Sequence, residues 1–126
     1  MNLEKVKKLI NEHVLDAKIT KLDCNYLDHE VEIRHEDEGD SEVVYKFAVC
    51  LKVLLDSAKS LDVGIKKDGK YIKAKELNVG QMECYLHSIE VSINTEDDID
   101  FYVFKIDMSP TNIEIWCKNI EVFKSS

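Results

Sequence analysis

Three kinds of side chain in this sequence could do chemistry: four histidines, four cysteines and an excess of carboxylates. His29 and His35 would share a face of an extended strand, but six residues at about 3.3 Å each hold them roughly 20 Å apart, too far to ligate one metal. Cys84 and His87 are three positions apart, a spacing that converges on a helix but points to opposite faces of a strand. Cys24, Cys50, Cys84 and Cys117 are scattered through apolar or alternating stretches, and no two of them form the CxxC pair that a zinc ribbon needs. The expectation is reduced, buried thiols behaving as small hydrophobes in a reducing cytosol, with no metal and no cofactor.

Nucleophilic chemistry finds no better support. There is no GxSxG elbow, the four glycines make no phosphate-cradling loop, and no cysteine stands at a predicted helix N-terminus that would lower its pKa. A non-catalytic protein is therefore expected. Carboxylates are the strongest feature: Asp28, Glu30, Glu32, Glu36, Asp37, Glu38, Asp40 and Glu42 surround the single arginine, Arg34, and Glu96, Asp97, Asp98 and Asp100 form a second cluster. Neither cluster has the fixed alternate spacing, central glycine and terminal glutamate of an EF-hand. Exposed, crowded acids also lack the apolar setting that raises the pKa of a glycosidase acid. A charged hairpin edge that discourages strand-to-strand aggregation is the plain alternative to a working surface.

The elements that must carry these residues follow from hydrophobic period. Leu3, Val6, Ile10, Val14 and Ala17 recur at helical spacing, with Leu9 and His13 beside them, which predicts an amphipathic helix over residues 1–17 with Asn2 as its cap. From Lys18 the period becomes two. Strands are expected over Ile19 to Tyr26, His29 to Glu36 and Glu42 to Leu55, the last with Val43, Tyr45, Phe47, Val49, Leu51, Val53 and Leu55 on one face. A short strand with Leu61, Val63 and Ile65 leads into a hairpin turn at Asp68-Gly69, and Tyr71-Ile72 starts the return. Tyr85 to Ile93 and Tyr102 to Met108 make two further strands across a loop from Asn94 to Asp100, and the final strand starts at Ile113. There the apolar positions slip between Cys117 and Ile120, predicting a bulge or bend at Lys118-Asn119. The fold class expected is α+β: one N-terminal helix and about seven or eight mostly antiparallel strands, in a meander that forms two layers or a wrapped sheet.

With 126 residues, 44% hydrophobic, the chain is read as a single domain, 1–126, its β-rich body spanning 18–123. No apolar run approaches the roughly 18 to 20 residues that cross a bilayer, and Met1-Asn2-Leu3-Glu4 opens no signal peptide, so a cytoplasmic protein is expected. The net charge of −8 with one arginine argues against nucleic acid and against anionic membranes. A protein partner of basic character fits better, because a one-signed surface speeds encounter with it. The candidate contacts are Glu30, Glu32, Glu36, Asp37, Glu38, Asp40, Glu42, Asp97, Asp98 and Asp100, with Trp116 as an aromatic anchor opposite Ile113, Ile115 and Cys117.

The run Ile113-Glu114-Ile115-Trp116-Cys117-Lys118-Asn119-Ile120-Glu121-Val122, with Ile106-Asp107-Met108-Ser109-Pro110 before it and Phe47-Ala48-Val49-Cys50 earlier, resembles the small YxiG-like proteins of Gram-positive bacteria. Some of those stand beside secreted polymorphic toxins. The resemblance covers the last two thirds of the chain and implies a cytoplasmic, immunity-type β-rich protein with no catalytic residues to carry over. An immunity-type inhibitor of a basic toxin or enzyme is the function expected. The alternatives are a small apolar-ligand-binding domain, with His87 or Tyr85 as a polar contact, and a homo-oligomeric structural protein joined through the strand Glu42 to Leu55 or through Trp116.

Overall fold

A computed structural model describes residues 1–12, 16–25, 27–57, 64–67, 70–73, 84–109 and 111–125. Helix α1 spans Leu3–Asn11, opened by Asn2, whose side-chain oxygen accepts the Lys5 amide at 3.1 Å. Val6 and Ile10, four residues apart on one face, are its buried residues. The helix is shorter than its hydrophobic period predicts: Ala17 stands in strand β1 (Ala17–Asn25), hydrogen-bonded in register with Leu86. Tertiary pairing overrides helical period there, while His13 and Val14 lie outside the described residues.

The strands that follow are β2 (Glu30–Glu36), β3 (Glu42–Ser57), β4 (Gly64–Lys67), β5 (Lys70–Lys73), β6 (Tyr85–Leu86), β7 (Ser88–Glu96), β8 (Ile99–Met108) and β9 (Thr111–Ser125). β4 and β5 pair with each other, Lys67 opposite Lys70, and the Asp68-Gly69 link is outside the described residues, as are Leu61 and Val63. The other seven form one antiparallel sheet in the order β6-β1-β2-β3-β9-β8-β7. Its two ends nearly meet. Tyr85 donates its amide to the Ser109 carbonyl at 3.3 Å and His87 to the Asp107 carbonyl at 2.8 Å, so the chain around β6 touches β8 on one side while β6 pairs with β1 on the other. The result is a nearly closed barrel with one short helix, the wrapped version of the expected sheet, and the α+β label describes it only coarsely.

The interior is filled by side chains. Phe47 and Phe104 meet edge to face with centroids 5.0 Å apart, and Tyr45, Ile33, Met108, Ile115 and Cys117 are fully buried around them. His35 is buried with them, at 0% exposure. Its Nδ1 lies 2.8 Å from the Glu36 carbonyl and its Nε2 3.1 Å from the Tyr45 hydroxyl. The carbonyl can only accept, so Nδ1 carries the hydrogen, leaving Nε2 to accept from Tyr45. Burial pushes the Tyr45 phenol far above its ordinary pKa, which keeps it a donor.

One irregularity governs the outer surface. The odd positions of β3 face inward as expected through Val43, Tyr45 and Phe47, then the pattern breaks: Val49 is 52% and Leu51 47% exposed, while Cys50 is buried. Val49 adopts a left-handed backbone with φ 56°, costly for a β-branched residue, and a register shift follows between Cys50 and Lys52. β9 switches at the same level, burying Cys117 and then placing Ile120 against the core. The bend expected at Lys118-Asn119 is thus one half of a kink shared by two paired strands.

Candidate functional site

Strand direction decides where the acids go. Neighbouring strands of the seven-stranded sheet are antiparallel, so the β2–β3 and β7–β8 turns fall at one end of the barrel, and the β1–β2 and β8–β9 turns at the other. The first of these carries Asp37, Glu38 and Asp40, flanked by Glu36 and Glu42, and the second carries Asp97 and Asp98. The β7–β8 turn stops several residues short of the β2–β3 turn along β9, since Tyr102 is level with Cys117 while Glu42 is level with Ser125.

The β7–β8 connection is tighter than the loop expected over Asn94 to Asp100. Glu96 pairs with Ile99, leaving Asp97 and Asp98 as the two turn residues, with φ 51° and 64°. Positive φ at both positions is the signature of a type I′ hairpin turn, and aspartate tolerates it better than most residues. Strand alternation through Thr95 and Glu96 carried too little apolar signal to reveal this, although a pair of adjacent acids between alternating runs is a turn cue. Asp100 accepts a hydrogen bond from the Thr95 hydroxyl at 2.6 Å across the ladder.

The acids of the first cluster separate into three groups. Glu30 stands at the opposite end of β2 from Glu36, about 20 Å away along the strand. The stretch from Asp28 to Glu42 is therefore not one patch. Glu32, on the outer face of β2, is met by Lys21 at 2.9 Å, Arg34 at 3.0 Å and Lys46 at 3.9 Å, and the hydrogen bonds from Arg34 first and then Lys21 hold its carboxyl below the ordinary range. Glu42 is bound by Thr20 and lies 3.6 Å from Arg34. Asp37 accepts from the Glu38 backbone and pairs with Lys124 at 3.1 Å, which lowers its pKa as well. Glu36, Glu38, Asp40, Asp97 and Asp98 are exposed and have no ion-pair partner among the described residues. Asp23, Glu30, Glu90 and Glu121, elsewhere on the sheet, are likewise exposed without an ion pair among the described residues.

Trp116 lies on the outer face of β9, half-buried, its indole N–H donating to Glu114 at 3.0 Å. The Lys52 ammonium sits 4.5 Å above its ring and reaches Glu96, beside the β7–β8 turn, at 3.1 Å. Its face is already dressed by a lysine. The aromatic that sequence reasoning missed is Phe123, 40% exposed near the end of β9 and next to Lys124, the partner of Asp37. The Lys46 ammonium lies 5.7 Å from the Phe123 ring centroid. Ile99, exposed beside Asp98, is a second apolar contact at the same end.

The remaining candidates separate. His87 is exposed and 3.0 Å from Asp16, rather than at the core edge with a backbone partner as its alternation suggests. Cys84 contacts the Thr111 hydroxyl at 3.6 Å. His29 occupies a left-handed turn position, φ 55°, at the far end of the barrel. No cluster of three or more histidine, cysteine or acidic side chains among the described residues is arranged to hold a metal ion.

The barrel interior is packed by side chains, and the exposed acids without an ion pair include those of the β2–β3 and β7–β8 turns. The family model for immunity protein PIM7 matches residues 2–124, so the chain belongs to that immunity-protein family. Membership implies a protein partner, a toxin. The match agrees with the immunity-type resemblance and does not extend to YxiG-like features. A search of curated proteins finds no match.

Proposed function

We propose that this protein is a non-catalytic, cytoplasmic inhibitor that captures a basic toxin through the acidic end of its barrel. The observation that supports this reading is that the β2–β3 and β7–β8 turns and their flanks carry Glu36, Glu38, Asp40, Asp97 and Asp98, all exposed and without cationic partners among the described residues. A rim of one sign raises the encounter rate with an oppositely charged protein, and Phe123 and Ile99 supply apolar contact beside it. The YxiG-like resemblance belongs to the same reading, since it too points to an immunity-type protein.

The test is affinity capture with the full chain as bait, from its own organism's lysate and secreted fraction, at low and at moderate salt. One basic, stoichiometric partner that weakens with salt is the expected result. Replacing Glu36, Glu38 and Asp40 together by lysine should leave the fold intact, since these side chains make no internal ion pair, and abolish that capture. Capture unchanged by the reversal would remove the acidic rim from the mechanism.

A further inference from the structure

The kink shared by β3 and β9 brings two thiols together. Cys50 and Cys117 are direct cross-strand partners, and both side chains face the core. The Cys50 amide donates to the His29 carbonyl at 2.9 Å, away from β9. The pair is therefore of the kind that exchanges no backbone hydrogen bonds, in which Cα atoms are about 4.5 Å apart and side chains come closest. A disulfide spans Cα separations of about 4.4–6.8 Å. The Cys50 thiol donates to the Phe47 carbonyl at 3.5 Å, and the two thiols are close enough to shift each other's titration.

Their surroundings differ. Cys117 is sealed in the core, whereas Cys50 lines an open cavity of about 190 Å³ at the far end of the barrel, together with Cys24, His29 and Lys52. The left-handed Val49 directly precedes Cys50, and the register shift directly follows it. Bulges and strained residues of this kind re-aim a side chain, and here they turn Cys50 toward Cys117.

We propose that Cys50 and Cys117 form an oxidisable dithiol, in which Cys50 reacts with a hydroperoxide entering the cavity and Cys117 closes a disulfide across β3 and β9. In the first step the Cys50 thiolate attacks the terminal peroxide oxygen. The O–O bond breaks, the departing oxygen leaves as an alcohol after taking up a proton, and Cys50 becomes a sulfenic acid, oxidised by two electrons. In the second step the Cys117 sulfur attacks the Cys50 sulfur, the S–O bond breaks, and the hydroxide leaves as water with the Cys117 proton. The sum is dithiol plus hydroperoxide giving disulfide, alcohol and water.

The electrostatics favour this order of events. Cys50 borders the cavity and Cys117 is sealed behind it, and the proximity of Cys117 lowers the Cys50 thiol's pKa while raising that of Cys117. Cys24 shares the cavity, but burial first and then Asp23 raise its pKa, which makes it the poorer nucleophile. This inference does not use the toxin-binding reading: it rests on the cross-strand pair Cys50–Cys117 and on the cavity that Cys50 borders.

The experiment treats the folded, full-length protein with hydrogen peroxide, quenches by alkylation at intervals and maps the peptides by mass spectrometry. Two thiols should disappear together, yielding a peptide linked through Cys50 and Cys117, while Cys84 stays open to alkylation. Cys24→Ser should leave the rate unchanged. Cys117→Ser should stop disulfide formation and leave a Cys50 sulfenic acid that dimedone traps. Should Cys117→Ser fail to fold, the linkage map of the unaltered protein decides the matter. Oxidation of Cys24 or Cys84 ahead of Cys50, a link from Cys50 to Cys24, or reaction only after unfolding in urea would each overturn the proposal.

Discussion

His35 and Tyr45 show how a polar residue comes to sit at the centre of an apolar barrel. Both imidazole nitrogens are satisfied, one by the Glu36 carbonyl and one by the Tyr45 hydroxyl, so His35 carries no open hydrogen-bonding site into the core. Removing one partner is worse than having neither. Tyr45→Phe keeps the packing but leaves Nε2 buried without a donor, and should cost about 1–3 kcal/mol in urea unfolding. A cost near zero would mean that water reaches the site. In sequence, His35 was indistinguishable from His29, since both occupied odd positions on one predicted strand face. The difference is that β2 pairs on both sides at His35, whereas His29 stands in the turn before it.

At the scale of the element, the kink in β3 matters most. Period-two reading extended one apolar face from Val43 to Leu55, and the structure interrupts it at Val49. Continuing the regular strand would have turned Val49 and Leu51 inward and Cys50 outward; instead Cys50 is buried and both neighbours are exposed. Val49 pays for the break with a left-handed backbone. Val49→Gly should relieve about 1–2 kcal/mol of that strain, offset by about 0.4–1 kcal/mol from the freer unfolded chain. A rise in the urea midpoint equivalent to about 1 kcal/mol is expected, and a fall would show that the exposed valine makes contacts worth more than its strain. The slip in the apolar positions of β9 was visible in sequence because it moved Ile120 and Val122 to the other parity from Ile113, Ile115 and Cys117. Its counterpart in β3 was hidden, because apolar residues occupy both parities from Phe47 to Leu55.

For the whole molecule, charge couples stability to pH. Glu32 and Asp37 have folded pKa values below their unfolded ones, Glu32 through Arg34 and then Lys21, Asp37 through the Glu38 backbone and then Lys124. A depressed carboxylate contributes stability above its unfolded pKa and loses it as pH falls through the folded value. Stability should therefore hold near neutrality and decline from about pH 4.5 downward, read as the urea midpoint between about pH 7 and about pH 3. Glu32→Gln should flatten that decline, and an unchanged slope would assign it to other groups. The unpaired acids at the rim repel one another at neutral pH, a cost a protein can carry when the same charges serve a cationic partner.

Hydrophobic period alone determined that a helix precedes a succession of antiparallel strands, because burial of one face imprints itself locally at 3.6 or 2 residues. Net charge and the lone arginine likewise reduced the partner classes before any fold was known. Which acids are free was decided only by tertiary structure. Glu32 and Glu42 are bound by Arg34, Lys21 and Thr20, Glu30 is carried away from Glu36 by the length of β2, and Asp97 and Asp98 are fixed in a two-residue hairpin turn. Pairing partners and the closure of a barrel depend on contacts between residues far apart in the chain, and a one-dimensional pattern holds no record of them.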